Sequence, residues 1–339
     1  MTSAVAPRQA ERRLDQCTIV VTPRSFGLDD PGLRRELEEA VGEVRYWPGP
    51  LTASQLEEVV TDADGLIAGL DELSARVFTA APRLRVVARY GVGVDRVDLD
   101  AAANQGVYVT ITPGANANAV AELTLALLFW LARPIIAGRD RARAGEWPAM
   151  RGVELSGRTL GLVGIGRIGS RVAQKAGALG MRVLAYDPNV ASSDAATMVD
   201  LATLVSESDF VSLHAPLTTE TIGMVDQRFL SCLKPGAALV NTARGLLVDE
   251  DALVRVLEER HLRAAALDVL AEEPPPADHP LLQRDDVLVT PHMAPHTAEA
   301  TTAMGRTALE DLLAVLSGRC PRFAVVVPSA GRQLQAKEG

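Results

Sequence analysis

Thr159-Leu160-Gly161-Leu162-Val163-Gly164-Ile165-Gly166-Arg167-Ile168-Gly169 carries the clearest structural signature in this chain. Thr159–Val163 has the apolar run of a buried strand, and Gly164, Gly166 and Gly169 follow in G-x-G-x-x-G spacing. Beyond them Ile168, Val172, Ala176 and Leu179 recur at helical spacing, and Gly180 is placed to end the helix. Met181–Tyr186 reads as a second strand, with Asp187 at its end, 18 residues past Gly169. A strand, glycine turn, helix and acid in this order form the dinucleotide-binding pattern. Gly164 allows the tight turn, Gly166 lets the backbone approach a pyrophosphate, and Gly169 lets helix and strand pack closely. The helix N-terminus at Arg167 and Ile168 offers N–H groups and a partial positive charge to phosphates. Asp187 is expected to accept hydrogen bonds from both adenosine-ribose hydroxyls. A 2′-phosphate would meet that carboxylate, and Pro188-Asn189-Val190 supplies no Arg to neutralise it. The expected cofactor is therefore NAD rather than NADP.

Outward from this unit, short β-branched runs alternate with helical ones. Thr18–Thr22, Gly65–Ala68, Leu84–Ala88 and Val107–Val109 read as strands, and Leu33 to Val41 as a helix, with Gly and Pro between them. Strands separated by helices imply a parallel sheet covered on both faces. Pro113-Gly114 marks a boundary, a long apolar helix from about Asn118 to Arg133 follows, and the alternation resumes from Thr159 to Thr290. At roughly 150 residues per domain, a chain of 339 residues holds two. A last helix is expected over Ala303–Leu316 and a strand-like run over Phe323–Val327.

Composition excludes several classes. Hydrophobic residues make up 47% and charged residues 23%, enough apolar material to bury a core. With 34 Lys+Arg against 43 Asp+Glu the net charge is -9, which argues against a nucleic-acid partner. Cys17, Cys232 and Cys320 are too few and too scattered for a disulfide framework or a zinc site, and suit a cytoplasmic location. Met1–Gln16 is polar, lacks the apolar core of a signal peptide, and reads as a loose tail. Ala119–Ala132 is broken by Glu122 and Thr124 and falls short of the roughly 20 residues a bilayer requires, so a buried helix and no membrane association are expected.

Further motifs carry a resemblance. Arg89-Tyr90-Gly91-Val92-Gly93-Val94-Asp95, Pro113-Gly114-Ala115-Asn116, Leu213-His214-Ala215-Pro216, Asn241-Thr242-Ala243-Arg244-Gly245, Leu267-Asp268-Val269, Glu273-Pro274 and Thr290-Pro291-His292 follow one another in order. With the glycine motif, they make the chain from about Gly65 to Thr302 resemble the D-isomer-specific 2-hydroxyacid dehydrogenase family, which includes phosphoglycerate dehydrogenases and glyoxylate/hydroxypyruvate reductases. The resemblance implies an α/β fold of two Rossmann-like, doubly wound parallel-sheet domains flanking a cleft. Residues 113–299 would form the NAD-binding domain, and 1–112 with 300–339 a discontinuous substrate domain. Hinge closure would expel water before reaction.

The same resemblance implies interconversion of a small anionic D-2-hydroxy acid and its 2-oxo acid, with Arg244, Glu273 and His292 as catalytic residues. Each residue type suits its task. Imidazole titrates near neutral pH, so His292 can take or return the hydroxyl proton. Glu273, selected over Glu272 by its spacing to Asp268 and Pro274, would hold one imidazole tautomer. The planar fork of Arg244 would bind the substrate carboxylate and the C2 oxygen. Asp268 and the backbone near Thr242 are expected at the nicotinamide carboxamide, with His214 flanking the cofactor. Backbone N–H groups of Gly91, Val92 and Gly93 are expected at the substrate carboxylate, and Arg89 and His296 are further substrate-site candidates. His296 lies four residues after His292, but Pro295 disfavours a regular helix through the pair and no H-E-x-x-H pattern is present, so no metal is expected. A homodimer is implied, paired through the cofactor domain and the helix bearing Leu123, Leu125, Leu127, Leu128, Phe129 and Trp130, residues that suit an interface and an ordinary core helix equally.

Gly69-Leu70-Asp71-Glu72 is acidic where phosphoglycerate dehydrogenases generally present basic residues, and 339 residues leave no room for the regulatory domain of longer members. Both features favour a non-phosphorylated substrate. A phosphorylated or phosphonate hydroxy acid, held by Arg89 and Arg244, is the alternative. From another class, the alternative is an NAD(H)-sensing binding protein with little turnover.

Overall fold

The structure, a computed structural model, describes residues 13–328; most of the polar N-terminal tail lies outside them. The chain divides into two compact units, Met1–Asn116 with Ala298–Gly339, and Ala117–Thr297. The divisions fall at the ends of helices, a few residues from the expected 112/113 and 299/300.

In the first unit β1 (Thr18–Val21), β2 (Glu43–Tyr46), β3 (Gly65–Ala68), β4 (Val86–Arg89) and β5 (Tyr108–Thr110) alternate with α1 (Pro31–Ala40), α2 (Ala53–Val59), α3 (Ala75–Ala80) and α4 (Leu99–Asn104). Every residue of β1, β3, β4 and β5 is buried, as strands covered on both faces require. β2 has no apolar run and could not be read from sequence; it is a half-exposed edge strand. Local chemistry starts the helices: Pro31 opens α1 while Asp30 caps Gly32 N at 3.0 Å, and Thr52 and Gln55 form a capping box on α2.

The second unit contains α5 (Ala117–Ala132), α6 (Ile135–Arg143), β6 (Thr159–Val163), α7 (Arg167–Ala178), β7 (Arg182–Tyr186), β8 (Thr197–Met198), α8 (Leu201–Glu207), β9 (Phe210–Leu213), α9 (Gln227–Ser231), β10 (Ala237–Asn241), α10 (Glu250–Glu258), β11 (Leu262–Leu267) and β12 (Val287–Val289). The chain then returns to the first unit as α11 (Ala298–Leu316) and β13 (Ala324–Val326). α11 begins five residues earlier than the apolar periodicity suggested, because Ala298–Thr302 is small and polar.

The first sheet has the order β13-β5-β4-β3-β1-β2, with β13 antiparallel to β5 and all other pairs parallel. The second, all parallel, has the order β12-β11-β10-β9-β6-β7-β8. Both are doubly wound Rossmann-like sheets. In the second, strand order reverses between β6 and β9. Crevices for ligands open at such a switch point, at the C-terminal ends of the strands. One face of this sheet packs against α5 and α7, the other against α8, α9 and α10. No single helix among the described residues is long and apolar enough to cross a membrane.

Candidate active site

The glycine turn leaves β6 at the switch point. Gly164 adopts φ +96°, and a Cβ there would come within 2.6 Å of the His214 carbonyl oxygen. A Cβ on Gly169 would sit 2.2 Å from the Gly164 carbonyl oxygen, so α7 can start against the turn only with glycine there. Gly166 differs: nothing lies within 4 Å of its Cβ position, and the backbone before α7 is open to a ligand. At the end of β7, Asp187 accepts from the N–H of Ile165 at 3.1 Å and of Asn189 at 2.9 Å. A carboxylate has about four acceptor positions, so capacity remains for ribose hydroxyls. The residues present therefore fit a dinucleotide.

His214 follows β9 across the same switch point, its N–H bonded to the Val163 carbonyl at 2.7 Å. Its Nε2 lies 3.0 Å from Ser212 Oγ, and burial pushes the imidazole down to about 4, so the ring is neutral at physiological pH. Thr242 turns its hydroxyl to Thr124 of α5 at 3.1 Å.

Loops after β10, β11 and β12 bring three sequence-selected residues to one end of this sheet. Arg244 sits on a turn built by Asn241, whose Oδ1 accepts from Ala243 N (3.0 Å) and whose Nδ2 donates to the Arg244 carbonyl (2.8 Å). The Arg244 Nη1 donates to the Ala243 carbonyl at 2.7 Å. Gly245 packs so tightly that a Cβ would lie 1.9 Å from the Leu270 carbonyl carbon. That contact joins the Arg244 turn to the loop carrying Glu273.

His292 Nδ1 lies 2.8 Å from Glu273 Oε2, both side chains 21% exposed. Glu273 Oε1 accepts from Leu270 N at 3.2 Å, so the carboxylate is held at both oxygens. With Nδ1 engaged, Nε2 is the nitrogen left to face a substrate. His292 has φ +49°, a left-handed conformation that costs a non-glycine residue about 1–3 kcal/mol. Buried Asp268 holds it there: its carboxylate accepts from Thr290 Oγ1 (2.6 Å), Met293 N (2.9 Å) and Ala294 N (2.9 Å), while its carbonyl accepts from His292 N (2.9 Å). Asp268, expected at the cofactor, thus serves first as the clamp of the His292 turn, with one acceptor position to spare. Asn241 and Thr290 were missed as organisers of these turns; their position, directly beside the catalytic candidates at strand ends, was the available signal. His296 is exposed. Desolvation of its ring by the surrounding loop and then the charge of His292 hold the imidazole below the usual histidine range, although the residue as a whole keeps much of its surface in solvent. Among the described residues no three His, Cys, Asp or Glu side chains form a metal cluster.

In the first unit, the 4%-exposed Arg89 donates from Nε to the Gly93 carbonyl (3.1 Å) and from Nη1 to the Ala68 carbonyl (3.3 Å). The Gly91 carbonyl accepts from Thr112 N at 2.9 Å. Both glycine carbonyls of the loop are thereby drawn onto protein donors. Asp71 departs from its sequence reading. It is fully buried and accepts from Thr22 Oγ1, Gly69 N (2.8 Å) and Leu51 N (2.7 Å). Its carboxylate stitches three loops together and is turned inward, while Glu72 remains exposed.

Residues 125–294 match the family model for the NAD binding domain of D-isomer specific 2-hydroxyacid dehydrogenases. The chain is 39% identical to a glyoxylate reductase of Thermofilum pendens over 310 residues, covering 87% of this chain and 91% of that one. It is 41% identical to a D-3-phosphoglycerate dehydrogenase of Methanocaldococcus jannaschii over 307 residues, 88% of this chain but 58% of that longer one. A crystal structure of a protein from Thermus thermophilus superposes with a TM-score of 0.83 at 42% identity, covering 91% of this chain and 100% of that one. The chain belongs to the D-isomer specific 2-hydroxyacid dehydrogenase family. It is an NAD-dependent 2-hydroxyacid dehydrogenase.

Proposed function

We propose that this enzyme interconverts a small anionic D-2-hydroxy acid and its 2-oxo acid, with His292 as acid/base, Glu273 as its partner and Arg244 as the carboxylate-binding group. The observation that carries the reading is the 2.8 Å contact between His292 Nδ1 and Glu273 Oε2, at the strand ends of the sheet bearing the glycine turn. The turn from Gly164 to Gly169, the α7 N-terminus and Asp187 would hold NAD, which would supply the acceptor for a hydride from C2. In oxidation His292 Nε2 takes the hydroxyl proton while Glu273 stabilises the imidazolium; in reduction the same nitrogen returns it. Arg244 binds the carboxylate and lowers the cost of negative charge growing on the C2 oxygen. The Asp187 carboxylate supports NAD in preference to NADP.

The substrate class is the finer question. Glyoxylate reductases and phosphoglycerate dehydrogenases are similar to this chain to a similar degree. A spectrophotometric NADH assay with glyoxylate, hydroxypyruvate and 3-phosphohydroxypyruvate tests the reading. Turnover lost about 10²–10⁴-fold in Arg244→Ala and His292→Ala supports it. NADH binding with no turnover on any of the three favours a sensor instead.

We further propose a cytoplasmic homodimer. Leu127 and Leu128 are buried in the core of their own unit, which takes the core-helix side of the two readings their sequence allowed. The exposed apolar residues nearby are Phe129, Ile135, Met150 and Trp147, the last 92% exposed. Light scattering of the wild type and Trp147→Glu tests this; a monomeric wild type overturns it.

A further inference from the structure

Glu250 opens α10 and has no role in the chemistry above. Its Oε1 accepts from the backbone N–H of Ala271 at 2.8 Å, and its Oε2 lies 3.2 Å from Nε2 of His279. The other ring nitrogen of His279, Nδ1, accepts from Leu281 N at 3.3 Å and caps the short helical turn at Pro280–Gln283. With Nδ1 an acceptor, the ring proton lies on Nε2 and is donated to Glu250. The two side chains are 17% and 14% exposed, sheltered enough for the contact to persist.

The two ends of this contact span residues 271 to 279, the segment that contains Glu273 and the stiff Pro274-Pro275-Pro276 run. One carboxylate outside the reaction thus fastens both ends of the loop whose carboxylate meets His292. We propose that Glu250 and His279 are positioning residues: a second acid–histidine pair that holds Glu273 in register with His292. The inference rests on the reading of Glu273 and His292 as a working pair. Without the brace, residue 271 loses its anchor and the Glu273–His292 contact lengthens. An imidazolium is stabilised by a carboxylate in contact and much less by one displaced about 1 Å beyond hydrogen-bond reach. The other titratable groups around His292 are His296 and the Asp268 carboxylate; Glu272, next to Glu273, is exposed.

The test is an NMR titration of the histidine ring protons in the cofactor-free protein. The chain has 5 His, and the His292 signal is assigned by its loss in His292→Gln. Glu250→Ala and His279→Ala are expected to lower the His292 midpoint by about half to one pH unit, a three- to tenfold change in proton affinity. His279→Gln, whose amide can donate to Glu250 as Nε2 does, is expected to restore it. Glyoxylate reduction should fall in kcat by about tenfold or more in the two alanine variants, with the NADH dissociation constant unchanged. An unmoved His292 midpoint in both, with only a lowered Tm, overturns the proposal and leaves a structural contact. Glu273→Gln separates the two layers. If it fails to lower the His292 midpoint, the pair itself is misread; if it succeeds where the alanine variants fail, only the brace is wrong.

Discussion

Acid should destabilise this protein through one imidazole. His214 is half-buried at the sheet's switch point, and desolvation there pushes its folded-state midpoint from 6.5 to about 4. The unfolded chain binds a proton near 6.5 and the folded chain does not until near 4. Stability from this group is therefore complete above about pH 6.5 and is lost as pH falls toward 4. The full depression corresponds to about 3 kcal/mol, and about 2 kcal/mol is already gone near pH 5. In a unit of this size that is a fall in Tm of about 4–8 °C. The substitution His214→Gln keeps an amide nitrogen near the position of Nε2, 3.0 Å from Ser212 Oγ, and removes the titration. Carboxylates contribute to acid denaturation in both proteins, so the difference between them isolates the histidine. Calorimetry near pH 7.5 and pH 5 on cofactor-free protein should give a Tm gap that narrows or reverses on acidification by those few degrees. A gap that stays constant between the two pH values refutes the reasoning.

Three other substitutions test the scaffold. Gly245→Ala drives a Cβ into the Leu270 backbone, so it should cost about 1–3 kcal/mol and cut turnover by separating the Arg244 turn from the Glu273 loop; a Tm within a degree of wild type counts against that contact. Asp268→Asn replaces one carboxylate oxygen by an NH2 that must face either the Met293 or the Ala294 N–H, so about 1–3 kcal/mol should be lost in urea unfolding, together with activity, while unchanged unfolding would remove Asp268 from its role as clamp. Asp187→Ser should lower kcat/KM for NADH and raise it for NADPH, at least tenfold in their ratio; an unchanged ratio assigns the preference elsewhere.

Local pattern sufficed for a good deal of this molecule. The strand–turn–helix about Gly164–Gly169 could be read because each of its constraints is short-range: a tight turn, a close approach, an exposed helix end. Central strands were legible as apolar runs since both their faces are covered, whereas β2, half exposed, carried no such pattern. Other features required the folded chain. Asp71 reads as surface acidity until three backbone segments are seen to converge on it, and Asp268 reads as a cofactor contact alone until it is also found gripping the turn of His292. Leu127 and Leu128 look as suited to a partner as to a core, and only packing against the sheet decides. Glu250 and His279 stand far apart in sequence from one another, and nothing local links them to Glu273. Short-range sterics and periodicity are written into neighbouring residues; the partner of a buried charge is chosen by whichever distant segments tertiary packing delivers to it.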